Sequence, residues 1–182
     1  MIENSMNNHE ESFPNLQKSK KGPEIASTTS TTSIHGVTLM KVPTVKYEHG
    51  ELTEVFHPQW ETIYLEPITH MYVIKNGKHE RLEWHVHHET FDRYLVLQGE
   101  IEVALHDARE SSRTKGETIV VKLFGIGTLG NHGLRIPPGV YHTFRSVTKG
   151  FTMLNNKSLP YNREAPDKSV VPFEQSGVNF KW

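Results

Sequence analysis

From Gly36 onward, polar and apolar positions fall into short runs with a period of two. Ile101, Val103 and Leu105 alternate with Glu102, Ala104 and His106, the pattern of a strand with one buried face. Tyr94-Leu95-Val96-Leu97 and Thr118-Ile119-Val120-Val121-Lys122-Leu123 are continuous apolar or β-branched runs of strand length. Shorter runs at Val37 to Val42, Thr62 to Leu65, Met71 to Ile74, Thr143 to Val147 and Phe151 to Leu154 predict further strands. Asn76-Gly77, Gln98-Gly99, Lys115-Gly116, Pro137-Pro138-Gly139 and Lys149-Gly150 separate them as turns. Alanine is scarce and no long stretch has the 3.6-residue period of a helix. Many short strands joined by Gly and Pro turns predict an all-β barrel or sandwich.

Residues 1–35 read differently. They are rich in Asn, Glu, Lys and Ser and end in Ser27-Thr28-Thr29-Ser30-Thr31-Thr32-Ser33. Such a stretch offers too little apolar surface to offset its ordering entropy. It is therefore expected to be a disordered Ser/Thr-rich tail ahead of a single domain at 36–182. A chain of 182 residues suits one domain. A net charge of −1 gives no electrostatic case for nucleic acid or an anionic membrane. The absence of cysteine excludes disulfides, thiolate metal sites and cysteine nucleophiles. No apolar run approaches the ~20 residues that span a bilayer, and Met1-Ile2-Glu3-Asn4-Ser5 lacks a signal peptide's basic start. The expected location is the cytoplasm.

The 12 histidines matter only where spacing groups them. His85, His87 and Asp92, followed by Gly99, fit H-x-H-x4-D-x6-G. Residues two apart on a strand share a face, so His85 and His87 can both look into a barrel, and Asp92 opens the next strand. A second segment, Pro137-Pro138-Gly139-Val140-Tyr141-His142, feeds another histidine into a strand. Three imidazoles and a carboxylate suit a divalent metal such as Zn, Mn, Fe or Ni. The same set, His85, His87, Asp92 and His142, equally suits proton transfer. His88 breaks the alternation and is expected to face solvent. Trp60, Trp84 and Trp182 are expected as core or interface filler, with Trp84 facing away from His85. Tyr141 is expected to pack, and Tyr161 to be structural in its turn.

The two motifs in this order resemble the signatures of the cupin superfamily, which implies a cupin-type β-barrel (jelly roll). Asp92 stands where Glu is usual, and Ser146 where Asn is frequent. Gly36 to Trp182 more specifically resembles the dTDP-4-dehydrorhamnose 3,5-epimerase family. The resemblance rests on His49-Gly50-Glu51-Leu52-Thr53-Glu54, Trp84-His85, Leu97-Gln98-Gly99-Glu100-Ile101, Ile136 to His142, Pro160-Tyr161-Asn162-Arg163-Glu164 and Val178 to Trp182. It implies a homodimeric isomerase acting on a nucleotide-linked 4-keto-6-deoxyhexose. In the family a histidine removes a proton beside the ketone, a tyrosine returns one on the other face, and no metal is required.

Carried over residue by residue, His85 matches the base and His142 the histidine after the Pro-x-Gly turn. Glu54 matches the acidic residue of a nucleotide-contact motif in which His49 replaces the arginine. The substrate-contact arginine falls on Leu82; its neighbour Arg81 is a substrate-binding candidate but is expected on the opposite strand face. The family lysine falls on Asp92 and the acid tyrosine on Asn155. Glu174 is the nearest candidate for a carboxylate paired with the base. Catalytic candidates are therefore His85, Asp92 and His142, and substrate-binding candidates His49, Glu54 and Arg81. The alternatives are a metal-dependent cupin of another reaction class and a sugar-nucleotide-binding protein that has lost catalysis.

Overall fold

A computed structural model describes residues 27–58, 60 and 65–182. Among the described residues thirteen strands run in chain order: β1 Thr28–Thr31, β2 Thr38–Lys41, β3 Thr44–Tyr47, β4 Gly50–Thr53, β5 His70–Gly77, β6 Glu83–Val86, β7 Asp92–Gln98, β8 Glu100–Asp107, β9 Thr118–Phe124, β10 Gly133–Ile136, β11 Val140–Ser146, β12 Gly150–Lys157 and β13 Ser169–Pro172. A six-stranded sheet has the order β1-β2-β10-β7-β12-β5, and a five-stranded sheet the order β13-β6-β11-β8-β9. The hairpin β3-β4 stands apart as a two-stranded sheet. Every named pairing is antiparallel. The result is the all-β jelly roll that the patterning predicts.

The two large sheets face each other across a core that includes Val96, Ile101, Val103, Leu105, Phe144 and Met153. The alternation along β7 explains the layering. Tyr94 and Val96 join this inner core, whereas Leu95 enters a second cluster with Met40, Val42, Trp60 and Leu154. Arg93, on the same face of β7 as Leu95 and equally buried, meets the Glu66 carboxylate at 2.7 Å, which Arg135 shares. Gly99 closes the β7-β8 hairpin at φ +82°, and a Cβ there would collide with the Gly150 carbonyl oxygen.

The structure departs from the patterning at the edges. Thr28–Thr31, inside the expected tail at 1–35, form β1, in register from Thr28 with Lys41 to Thr31 with Thr38. An edge strand needs only backbone partners on one side, and β-branched threonine favours the extended chain. Ile34 then anchors the segment, fully buried in the inner core. Residues 1–26 of that tail lie outside the described residues, as do 62–64 of the run expected at Thr62 to Leu65; Leu65 itself is exposed. Trp84 does face away from His85, yet it is fully buried, because Phe173 and Phe180 cover its ring at 5.1 and 5.2 Å. Among the described residues no helix is long and apolar enough to cross a membrane.

Candidate active site

A cavity of about 350 Å³ opens between the two large sheets. The period of two on β5 turns His70, Tyr72 and Ile74 towards it. Asp92 and Tyr94 come from β7 and Lys157 from β12. Cross-strand register sets these groups in two rows. His70 and Asp92 flank Lys157 in one, and Tyr72 and Tyr94 flank Asn155 in the other. The facing sheet contributes His85 from β6, directly paired with His142 on β11. His87 follows just beyond β6, its ring stacked on His142 at 5.7 Å.

Asp92 is the centre of the buried cluster. Asn155 donates from Nδ2 to its Oδ1 at 2.7 Å, and its Oδ2 lies 3.5 Å from Nε2 of both His87 and His142. Nδ1 of His142 faces the Val140 carbonyl at 3.1 Å, and Nδ1 of His87 faces the Asp167 carbonyl. Those carbonyls accept from Nδ1 and so orient each ring with its Nε2 towards Asp92. Lys157 supplies the matching cation, with Nζ 3.0 Å from His87 Nε2 and 3.9 Å from Asp92 Oδ1. Burial pushes the Asp92 carboxyl up, but the two imidazoles and the Lys157 ammonium outweigh it and hold the group well below the usual carboxylate range. Burial lowers the Lys157 ammonium against the pull of Asp92.

His85 occupies a different setting. Its Nε2 lies 2.6 Å from Arg81 Nη1 and 3.1 Å from Glu83 Oε1. Burial, with Arg81, His142 and Lys168 adding positive charge, pushes its pKa down to about 4, against the opposing effect of Glu83. The imidazole is therefore neutral at physiological pH, the form in which it can accept a proton. Arg81 precedes β6, so strand alternation does not constrain it; its guanidinium turns into the cavity over Phe144, 5.0 Å from the ring centroid. That corrects its expected outward position.

The expected residues thus divide. His85, Asp92 and Arg81 line the cavity, and His142 stands behind them against His85. His87, Asp92 and His142 have donor atoms within 4.8 Å of one another, and His85 falls outside that group. His49 and Glu54 do not reach the cavity: His49 is exposed at the tip of the β3-β4 hairpin beside Glu48, and Glu54 follows β4. Their motif lies on and just after the separate β3-β4 hairpin, and neither residue lines the cavity. Glu174 lines a separate groove with Phe173 and Phe180, and Glu83 is the carboxylate beside His85 instead. His88 is exposed as expected. Tyr161, expected as a turn residue, lines the cavity, as do Lys168, Tyr72 and Lys157. Lys157 had a signal in the sequence: it lies two residues after Asn155 and four after Met153, on the same inward face of β12.

No family model matches the chain. It is 28% identical over 152 residues to a probable low-salt glycan biosynthesis epimerase of Haloferax volcanii, a match covering 82% of this chain and 95% of the relative. It is 32% identical over 100 residues to a spore coat polysaccharide biosynthesis protein of Bacillus subtilis, covering 54% of this chain and 64% of that one. Among solved structures, a dTDP-4-dehydrorhamnose 3,5-epimerase from Bacillus anthracis with TDP and pyrophosphate bound superposes with a TM-score of 0.72. Identity there is 18%, over 86% of this chain and 90% of that one. The chain is a cupin-type jelly roll. Within that class it resembles the solved dTDP-4-dehydrorhamnose 3,5-epimerase, and the Haloferax volcanii relative is itself a probable epimerase.

Proposed function

We propose that this protein is an epimerase or isomerase of a nucleotide-linked 4-keto-6-deoxyhexose, with His85 as the base. The observation that carries this is a neutral imidazole on one wall of a cavity whose opposite wall carries an ammonium. The proton beside a ketone is removed only if a placed base takes it and the developing enolate oxygen meets positive charge. His85 takes the proton; the C–H electrons move into the adjacent carbon–carbon bond and the carbonyl electrons onto oxygen. Lys157 and Arg81, two of the cations that line the same cavity, face that oxygen. In heavy water with such a dTDP-linked sugar, the protein is expected to exchange protons beside the ketone, and His85→Ala to abolish exchange. Binding without any exchange would instead support a protein that has lost catalysis.

The convergence of His87, Asp92 and His142 favours a second reading, a divalent metal such as Zn, Mn, Fe or Ni on those three ligands. The donor set fits, and a metal there would polarise the carbonyl. Against it, the Lys157 ammonium already stands 3.0 Å from one of the three donors. We favour the metal-free site. Elemental analysis of untagged protein decides, since stoichiometric metal that is lost in His87→Ala would overturn that preference.

A nucleotide sugar as ligand places the protein in the cytoplasm in this reading. A homodimer is also part of it: Met71 and Val73 on edge strand β5 and Tyr47 and Leu52 on the hairpin expose apolar surface that a second copy would cover.

A further inference from the structure

Asn155 leaves the site without an obvious second proton carrier, yet the strand beside it supplies one. Tyr72 on β5 is the direct register partner of Asn155, and its ring turns into the same cavity. Building on the proton-transfer reading above, we propose that Tyr72 is a catalytic residue, the acid that delivers a proton to the enolate carbon on the face opposite His85. The two groups come from different sheets. Tyr72 belongs to the six-stranded sheet and His85 to the five-stranded one, and the cavity lies between them. A flat enolate held in that space presents one face to each.

Among the cavity groups Tyr94, Tyr161 and Lys157 compete for the role, and the structure separates them from Tyr72. Tyr94 is 5% exposed, with its ring packed edge-on against His142 and Phe144, so a proton it gave up would be hard to replace from water. Tyr161 lies on the loop after β12, outside both sheets. Lys157 is engaged by His87 and Asp92. Tyr72 is 37% exposed at the cavity mouth and keeps contact with solvent. Burial, with the Asp92 carboxylate and Tyr161 against Arg81, keeps its hydroxyl protonated, and its ring lies 6.0 Å from the Lys157 ammonium, which can stabilise the phenolate once formed.

The step balances. His85 breaks the C–H bond on one face and becomes an imidazolium. The enolate carbon forms a new C–H bond with the Tyr72 proton as the O–H bond breaks. Water then returns a proton to the phenolate and takes one from the imidazolium, so nothing is oxidised and no co-reactant is consumed.

The test uses the full chain, a dTDP-linked 4-keto-6-deoxyhexose and heavy water, with the position and configuration of deuterium read by NMR. Tyr72→Phe is expected to keep exchange at the carbon that His85 deprotonates within about threefold of wild type, while formation of the inverted sugar falls about a hundredfold or more. Tyr94→Phe and Tyr161→Phe are expected to keep inversion. Inversion at the wild-type rate in Tyr72→Phe would overturn the assignment and leave the His85 reading standing. So would an equal loss of exchange and inversion, or a loss of inversion confined to Tyr94→Phe or Tyr161→Phe. Exchange without inversion in the wild type would also end the Tyr72 role alone. No exchange in the wild type would end both readings together.

Discussion

His85 is held neutral by burial and by the Arg81 guanidinium 2.6 Å from its Nε2. A base whose pKa is pushed down to about 4 is protonated only in acid, so proton exchange should stay flat from neutral pH to near 5 and fall as pH drops through about 4. Arg81→Ala removes a charge that disfavours the imidazolium, and the acid limb should move up towards the ordinary histidine value. A pH profile of kcat/KM on both proteins checks the sign; an unmoved limb would mean that burial and the other neighbouring charges set the value without Arg81. Lys157 makes a second residue-scale prediction. Lys157→Met leaves Asp92 buried between the two imidazoles without its cation. The expected cost is about 2 kcal/mol in urea unfolding and about a hundredfold in exchange rate. In the same variant the three donor atoms within 4.8 Å lose their competitor, so added zinc should bind and raise Tm more than it does in the wild type.

Strands place these residues, and strands were the most legible part of the sequence. The period of two at Ile101 to His106 and the runs at 94–97 and 118–123 became β8, β7 and β9 as read. Turn glycines and the two histidine motifs likewise predicted that His85 and His142 would meet, and they are register partners. What the sequence withholds is register between strands far apart in the chain. Nothing local in Tyr72 says that β5 will lie against β12 and set it beside Asn155, or that Lys157 will oppose Asp92. Arg81 turns inward against the alternation because it precedes β6, the strand to which that period applies. The loops show the same limit. Asp167 accepts from the backbone amides of His88 at 2.9 Å and Thr90 at 2.8 Å and from the Thr90 hydroxyl at 2.6 Å, across nearly eighty residues. Asp167→Ala should therefore strip hydrogen-exchange protection from the amides of 88–90 and lower stability by about 1–2 kcal/mol. The His87 ring should stay in place, because its partner is the Asp167 backbone carbonyl. Unchanged protection at those amides would show that the loop is held by other contacts.

At the scale of the whole molecule, the segment from Phe173 to Trp182 couples the outer face of the barrel to the site. Phe173 and Phe180 seal Trp84, whose strand neighbour His85 points the other way into the cavity. Trp182 closes the series: its Nε1 donates to the Arg81 carbonyl at 2.9 Å, and Arg145 lies over its ring at 4.7 Å. The same residue is thereby tied outside by its backbone and works inside by its guanidinium. Trp182→Ala frees the Arg81 carbonyl and lets that segment move, so the guanidinium is no longer fixed against His85. The expected result is a fall of about 2 kcal/mol in stability from lost packing. KM should rise several-fold, and the acid limb of the pH profile should move in the direction of Arg81→Ala by a smaller step. Trp182→Phe, which keeps a ring and loses the N–H donor, should retain most of the stability but share the shift in the profile. A variant pair that loses stability with an unmoved profile would make the segment a cover for Trp84 and nothing more. A shift in both variants would make the outer cover of the barrel part of what holds its base neutral.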